Sequence, residues 1–364
     1  MLYVNPDLLI QIEDGRYLLW DYRNHHQFLV DQRYIDRLIQ WSKNQTLDPT
    51  EMDQELLDAK LLTSEVPGPN REWGWDLLSH VFHFGTQDVP ITRLKNPDAL
   101  SWIDEYLDYC EEIKNEQPEL LVSRPGPQIV LPEPDLQRLC ETTFLEVLQK
   151  RKTSRVFYGE PVTLTDLATL LFVTFGLFHG EWEDLKTANL RVTGYRKTSP
   201  SGGGLHPEEA YVVALHVEDL PIGLYHYNIV HHHLTLLRPE ITEEQIINLL
   251  YHQYFAKGIA FGVFLTARFD KAWWKYKHSR AYRNVLYDIG HVSQTFQLTA
   301  TALNLQTWLT GAFHDSAVNE FLKVDGQKES VLFFVGAGLG ERRSFDETLL
   351  SRLNERTPIE MNNQ

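Results

Sequence analysis

Apolar and polar positions alternate through "LLIQIEDGRYLLWD" at residues 8–21, a period that suits two half-buried strands and predicts a hairpin turning at Asp14-Gly15. The spacing then changes to every third or fourth residue in "DQRYIDRLIQWSKN" and "DPTEMDQELLDAKLL", which predicts two helices. Two strands followed by helices make residues 1–66 a small winged-helix-like unit. Its acidic "DPTEMDQELLDAK" disfavours a helix that reads phosphates, so a peptide clamp or a purely structural role fits better.

"SEVPGPNREWG" interrupts regular structure with Pro and Gly. Helix-compatible "WDLLSHVFHFG" and "NPDALSWIDEYLDYCEEIKNEQPE" follow, and "SRPGPQIVLPEPD" reads as an extended linker, so residues 67–135 form a helical linker region. The larger domain then occupies 136–364. Within it "VTLTDLATLLFVTFGLFHG" predicts a helix stopping at Gly176. "AYVVALHV", "IAFGVFLTARF" and "VLFFVGAG" predict central strands, and "VLYDIGHVSQTFQLTATALNLQ" predicts a long helix with small and polar residues suited to packing against a second copy. The expected class is α+β with a mixed central sheet flanked by helices.

Composition narrows the partners. A chain of 364 residues that is 43% hydrophobic and 12% aromatic can build a substantial core. With 50 acidic against 34 basic side chains the net charge is −16, which argues against a general nucleic-acid or anionic-membrane surface. The N-terminus has the form of neither a secretion signal nor a transit peptide, and no apolar run approaches membrane-spanning length. Cys110 and Cys140 are the only cysteines, too few for a disulfide scaffold or a thiolate zinc site. A cytoplasmic protein without metal is expected. "HHH" at 231–233 reads as part of a hairpin near "NIVHHHLTLL", because consecutive strand residues face alternate sides and cannot converge on one ion.

Four distant segments carry unusual residue choices. "RKTSRVFYGE" sets Arg151, Lys152 and Arg155 around Thr153 and Ser154, donors that suit a phosphate or a polar ring edge; a solvated helix start is the alternative. "TSPSGGGLHPEEAYVVAL" removes three side chains in succession before a β-rich run, so a flat or anionic ligand could approach the main chain, although a hairpin turn would use the same residues. "GAFHD" at 311–315 is another bare stretch, and "VLFFVGAGLGERR" ends a strand in glycines before Arg342 and Arg343. Together they suit a nucleotide with a flat ring. His206 and His291 could touch such a ligand, but structural roles are the commoner outcome for such histidines.

The order "RKTSRVF", "PSGGGLHPEEAYVV", "LPIGLYHYNIVHHHLTLL", "WKYKHSRAYRNVLYDIGHVSQTFQLTATAL" and "FFVGAGLGERR" resembles the SagB/ThcOx-type azoline dehydrogenases of the FMN-dependent nitroreductase superfamily, over roughly residues 150–343. The resemblance implies FMN bound at a homodimer interface. Arg151, Thr153 and Arg343, assisted by Lys152, would hold its phosphate and ribityl chain, and Arg155 would lie near the pyrimidine edge. Pro200, Ser201, Gly202 and Gly203 would line one edge of the isoalloxazine, and Gly311 and Ala312 would bring a backbone N–H towards N5.

The adjacent Lys275 and Tyr276 in "WWKYKHSRAYR" resemble the Lys-Tyr signature of azoline dehydrogenases. Burial or neighbouring cations could lower the lysine pKa enough for it to accept a proton, with the tyrosine as partner. The implied reaction oxidises thiazoline or oxazoline rings to thiazole or oxazole in a ribosomally synthesised, modified peptide. A precursor peptide and a cyclodehydratase complex are the expected partners, and the sequence has room for one N-terminal clamp. Two other readings stand beside it: an NAD(P)H-dependent nitro- or ene-reductase, and a flavin-free scaffold that binds a peptide or partner enzyme. Oxidation of a peptide Cα–Cβ bond, as in cyclodipeptide oxidases, is a related possibility.

Overall fold

The computed structural model describes residues 1–66, 73–89, 94–96, 98–180, 187 and 195–356. The break at "PGPNRE" and the start of the segment leading to the glycine turn, residues 191–194, lie outside the described residues. Strand β1 (Tyr3–Val4) precedes β2 (Leu8–Glu13) and β3 (Arg16–Asp21). These two form the expected hairpin, with Glu13 opposite Arg16 and φ of 46° at Asp14 and 75° at Gly15. Positive φ at both central residues is the requirement that an Asp-Gly pair meets.

A third strand, β4 (His26–Val30), adds antiparallel to β3. Asp31 caps α1 (Gln32–Lys43), Thr50 and Asp53 form a capping box on α2 (Glu51–Asp58), and β5 (Leu62–Thr63) returns to pair with β1. Leu19, Ile35, Leu38, Trp41, Leu56 and Leu61 fill the core between them. The compact unit also takes in α3 (Leu77–Gly85), where Tyr22 Oη lies 3.2 Å from His80 Nδ1. It runs Met1–Asn96 with His278–Arg280, so it extends past the Pro/Gly break at residue 67.

The second unit begins with α4 (Ala99–Ile113). The Pro-rich stretch does more than link: β6 (Gln128–Val130) is the edge strand of the main sheet, with Ile129 opposite Leu234. Then come α5 (Leu136–Leu139), α6 (Phe144–Lys150), β7 (Val156–Phe157) and α7 (Leu164–Phe175), which is capped by Thr163 and ends at Gly176 as its sequence predicts. β8 (Glu208–Ala214), β9 (Gly223–Asn228) and β10 (His233–Pro239) lead to α8 (Glu243–Leu249) and β11 (Phe261–Arg268). The chain continues through α9 (Phe269–Lys275), α10 (Ala281–Ala302), β12 (Gln306–Thr310) and α11 (Asp315–Leu322). It closes with β13 (Glu329–Gly338), β14 (Gly340–Glu341) and α12 (Glu347–Arg356).

The seven-stranded sheet has the order β12-β13-β11-β8-β9-β10-β6. Its strand pairings are antiparallel, whereas a mixed sheet is what the sequence suggests. The short β8-β9 and β9-β10 connections reverse direction at each step, and parallel pairing is confined to the isolated bridges Thr153–Thr307 and Val162–Val217. Alternation along β8 sends Ala210, Val212 and Ala214 into a core shared with α7 and α10, and Tyr211 and Val213 into a second core with α8 and α11. Both faces are thus covered by helices, the layering of an α+β domain. The histidine triplet sits at the β9-β10 turn. Its middle member, His232, has φ 47° and meets Tyr227 Oη, while the rings of His231 and His233 stack.

Candidate active site

Helix α9 follows β11 without a loop, so the sheet fixes where it ends: Lys275 is its last residue and Tyr276 its C-cap. Lys275 is 1% exposed. Its Nζ donates to Tyr106 Oη at 3.2 Å and lies 5.8 Å from the centre of the Tyr276 ring. Helix α4 grips this corner, with Tyr109 Oη donating to the Lys275 carbonyl at 2.6 Å and Trp274 Nε1 to the Ile113 carbonyl at 3.0 Å. Burial disfavours the ammonium and pulls the Lys275 pKa below the usual lysine range. Burial, with the Asp288 carboxylate nearby, pushes the Tyr276 phenol up.

The glycine turn packs directly on this pair. Gly203 has φ 65°, and a Cβ built there would stand 2.4 Å from Tyr276 Oη and 3.2 Å from Lys275 Nζ. The backbone is therefore bare for two reasons, a left-handed conformation and the close approach of the Lys-Tyr pair. Asp288 of α10 holds the turn by accepting from Ser201 Oγ at 2.6 Å and from the Gly202 N–H at 3.3 Å. Ser201 Oγ in turn accepts from the His206 N–H at 2.9 Å. Pro200 is exposed at the start of the turn. His206 is buried, and its carbonyl accepts from Lys271 Nζ at 3.0 Å, so it supports the turn from beneath; His291 is exposed on α10. Lys197 bonds Glu208 at 2.9 Å in the same buried layer.

Burial raises the Asp288 carboxyl to about 6, with Glu208 adding to the rise and the Ser201 hydrogen bond opposing it. A carboxyl whose folded pKa lies above its unfolded value favours folding while protonated. That contribution is complete below about pH 4 and is lost as pH rises through 6. The urea-unfolding free energy of the wild type should therefore carry a fall of about 3 kcal/mol across this window, and Asp288→Asn should remove that component of the slope. An unchanged slope in the variant would contradict the assignment.

The basic residues assemble elsewhere on the same helix's neighbours. Ser154 N–H donates to the Thr307 carbonyl of β12 at 2.9 Å, and Arg155 N–H donates to the Arg343 carbonyl at 2.9 Å. Ser344 Oγ donates to the Thr153 carbonyl at 3.1 Å. These bonds draw Arg151, Lys152, Thr153, Arg155 and Arg343 into one strip from opposite ends of the larger unit. Arg151, at the C-cap of α6, reaches Gln297 Oε1 of α10 at 3.5 Å, and Lys152 is exposed. Arg343 is held by Glu341 at 3.0 Å and Glu347 at 3.7 Å. Arg155 donates to the Ser344 carbonyl at 2.9 Å and lies 5.3 Å over Phe255, without contact to the glycine turn among the interactions described.

Helix α10 connects the two groups. Asp288 meets the glycine turn and Gln297 meets Arg151, roughly 13 Å apart along the axis at about 1.5 Å per residue. Gly311 and Ala312 are exposed just beyond β12. The Ala312 N–H donates to Thr310 Oγ1 at 3.0 Å, and its carbonyl accepts from Gln253 at 2.6 Å, so that amide serves its own turn. The donor set fits an anionic cofactor at the strip. Arg151 has a weak contact with a neutral carboxamide, Lys152 is open to solvent, and Thr153 adds a hydroxyl, whereas Arg343 would exchange carboxylates for the ligand.

Asp288, Gln297 and Tyr106 belong to this arrangement although sequence reasoning passed over them. Asp288 carried a signal, an acid on the helix face that also bears Val285, Ile289 and Val292. Tyr106 carried none, because its link to Lys275 spans most of the unit.

A model of the Nitroreductase family matches residues 148–339, which is more than half of the chain and includes the glycine turn, the Lys-Tyr pair and residues 151–155. The chain belongs to the nitroreductase family. This nitroreductase-family chain is 30% identical to the protein MJ1384 of Methanocaldococcus jannaschii over 56% of its own length and 93% of the relative. It is also 30% identical to the trifolitoxin-processing protein TfxB of Rhizobium leguminosarum bv. trifolii, over 55% of each chain. A solved protein from Anabaena variabilis aligns with 70% of this chain and 49% of its own, at 23% identity and a TM-score of 0.47. The chain thus spans about half the length of these last two. Among the described residues no helix is long and apolar enough to cross a membrane, and no group of three or more His, Cys, Asp or Glu is placed to hold a metal.

Proposed function

We propose that this nitroreductase-family protein is an FMN-dependent dehydrogenase that oxidises thiazoline or oxazoline rings to thiazole or oxazole in a ribosomally synthesised peptide. The observation that carries the reading is the buried Lys275 amine, its pKa pulled down by burial, packed with Tyr276 against the bare Gly203 turn. Arg151, Lys152, Thr153 and Arg343 would hold the FMN phosphate and ribityl chain, with Arg155 towards the ring. Pro200–Gly203 and the Gly311-Ala312 turn would border the isoalloxazine. Bound FMN would supply the two-electron acceptor. Lys275 takes the ring proton next to the carbonyl, and Tyr276 shares or relays it. The buried layer around Asp288 keeps the turn fixed while this happens.

The relationship to a trifolitoxin-processing protein supports a peptide as substrate. In the N-terminal unit, β2 is an edge strand on which Ile10 and Ile12 are 53% and 73% exposed, a surface that suits addition of a leader-peptide strand. The site would lie between two copies of the chain in a homodimer, working in the cytoplasm beside a cyclodehydratase.

The family also favours a second reading, an NAD(P)H-driven nitro- or ene-reductase. Anaerobic spectra separate the two: the dehydrogenase bleaches the flavin with an azoline peptide and only slowly with NAD(P)H, and the reverse order identifies the reductase. A colourless protein that takes up no added FMN would identify a flavin-free scaffold.

A further inference from the structure

Helix α4 precedes the residues that the family match covers, yet it forms one wall of the Lys275 pocket. Cys110 and Ile113 are buried against Leu205 and Trp274, and two hydrogen bonds tie Tyr109 and Ile113 to the end of α9. Tyr106 lies between these anchors and the amine. Its ring is braced on the outer side by Trp102, stacked at 5.8 Å with an interplanar angle of 2°. Its hydroxyl accepts from Lys275 Nζ at 3.2 Å, and the same Nζ stands 5.5 Å from the centre of its ring.

We propose that Tyr106 is a positioning residue that fixes the direction in which Lys275 presents its amine to the glycine turn. A lysine side chain has four rotatable bonds, and a hydrogen bond to a braced ring restricts the directions its amine can take. Among the described residues, the groups facing the amine include Tyr106, Tyr109 and Cys110 from α4 and Tyr276 from the C-cap of α9, with Asp288 of α10 beyond Tyr276. The bare glycine turn contributes no titratable side chain at this point. The phenolic oxygen of Tyr106 is an acceptor for Nζ, and its braced ring orients the amine.

The inference rests on Lys275 acting as the base, and its test separates the two ideas. Tyr106→Phe keeps the ring and its stack on Trp102 while removing the acceptor. Retained FMN, an unchanged KM for an azoline peptide and a kcat lower by roughly tenfold, the size of one hydrogen bond, are expected. The rising limb of kcat against pH should move to lower pH, because the ammonium loses an acceptor while the neutral amine loses less. A merely structural role would admit water and move that limb up towards the ordinary lysine range.

Titration of protein labelled with ¹³Cε-lysine, with the Lys275 resonance assigned by its loss in Lys275→Ala, gives the same direction without substrate. A downward shift on Tyr106→Phe supports the positioning role even if azoline oxidation fails. Azoline turnover with a kcat, limb and titration identical to wild type would overturn the positioning role alone.

Discussion

Lys275→Ala is expected to leave the purified protein yellow and its FMN content unchanged while lowering kcat on an azoline peptide by about 10²- to 10⁴-fold, the usual contribution of a positioned proton acceptor. The amine is buried, contacts Tyr106, and sits beside the place where a Gly203 side chain would be. The described contacts of the basic strip are with Gln297, Glu341, Glu347, Ser344 and Phe255. Because alanine removes a side chain that is 1% exposed, the variant also leaves a cavity, and some loss of stability is expected with it. Lys275→Met fills most of that space without a titratable nitrogen and separates the two effects. Restored stability with absent turnover supports the base. Substantial turnover in the methionine variant would remove Lys275 from the mechanism.

Arg151→Ala should produce the opposite phenotype, with the colour itself lost. A charge-assisted hydrogen bond contributes on the order of 2 kcal/mol, so FMN affinity should fall by one to two orders of magnitude. Fluorescence titration of the apoprotein measures this directly. Arg151 is the informative choice within the strip because its described side-chain contact is a long one to the neutral Gln297 carboxamide, whereas Arg343 bridges two carboxylates and Arg155 is committed to Ser344 and Phe255. Saturating FMN should restore kcat in Arg151→Ala and leave Lys275→Ala inactive. That contrast distinguishes holding the cofactor from moving a proton.

What could be read in advance was local. The Asp14-Gly15 turn, the Thr163 cap, the Gly176 stop and the strands at β8, β11 and β13 each announce themselves within a few residues, through turn chemistry, capping or an unbroken apolar run. Strand direction was not legible, because it depends on which strands become neighbours. The Pro-rich stretch likewise became β6, since Leu234 of β10 offered Ile129 a partner far along the chain. At the site, the glycine turn was visible as a chemical oddity, but its reason was not. Asp288 and the Lys-Tyr pair press on it from segments that only the fold brings together. The arginines were visible as charge, and the carboxylates that already occupy Arg343 were not.

The central claim is removal of two hydrogens from an azoline ring, and the mass of the product tests it most directly. A synthetic peptide carrying one thiazoline, incubated with the FMN-loaded protein in air, should lose two hydrogens and gain the ultraviolet absorption of a thiazole, while the Lys275→Met protein leaves it unchanged. A peptide whose mass stays constant with the wild-type protein, for thiazoline and oxazoline alike and with FMN demonstrably bound, would contradict the account.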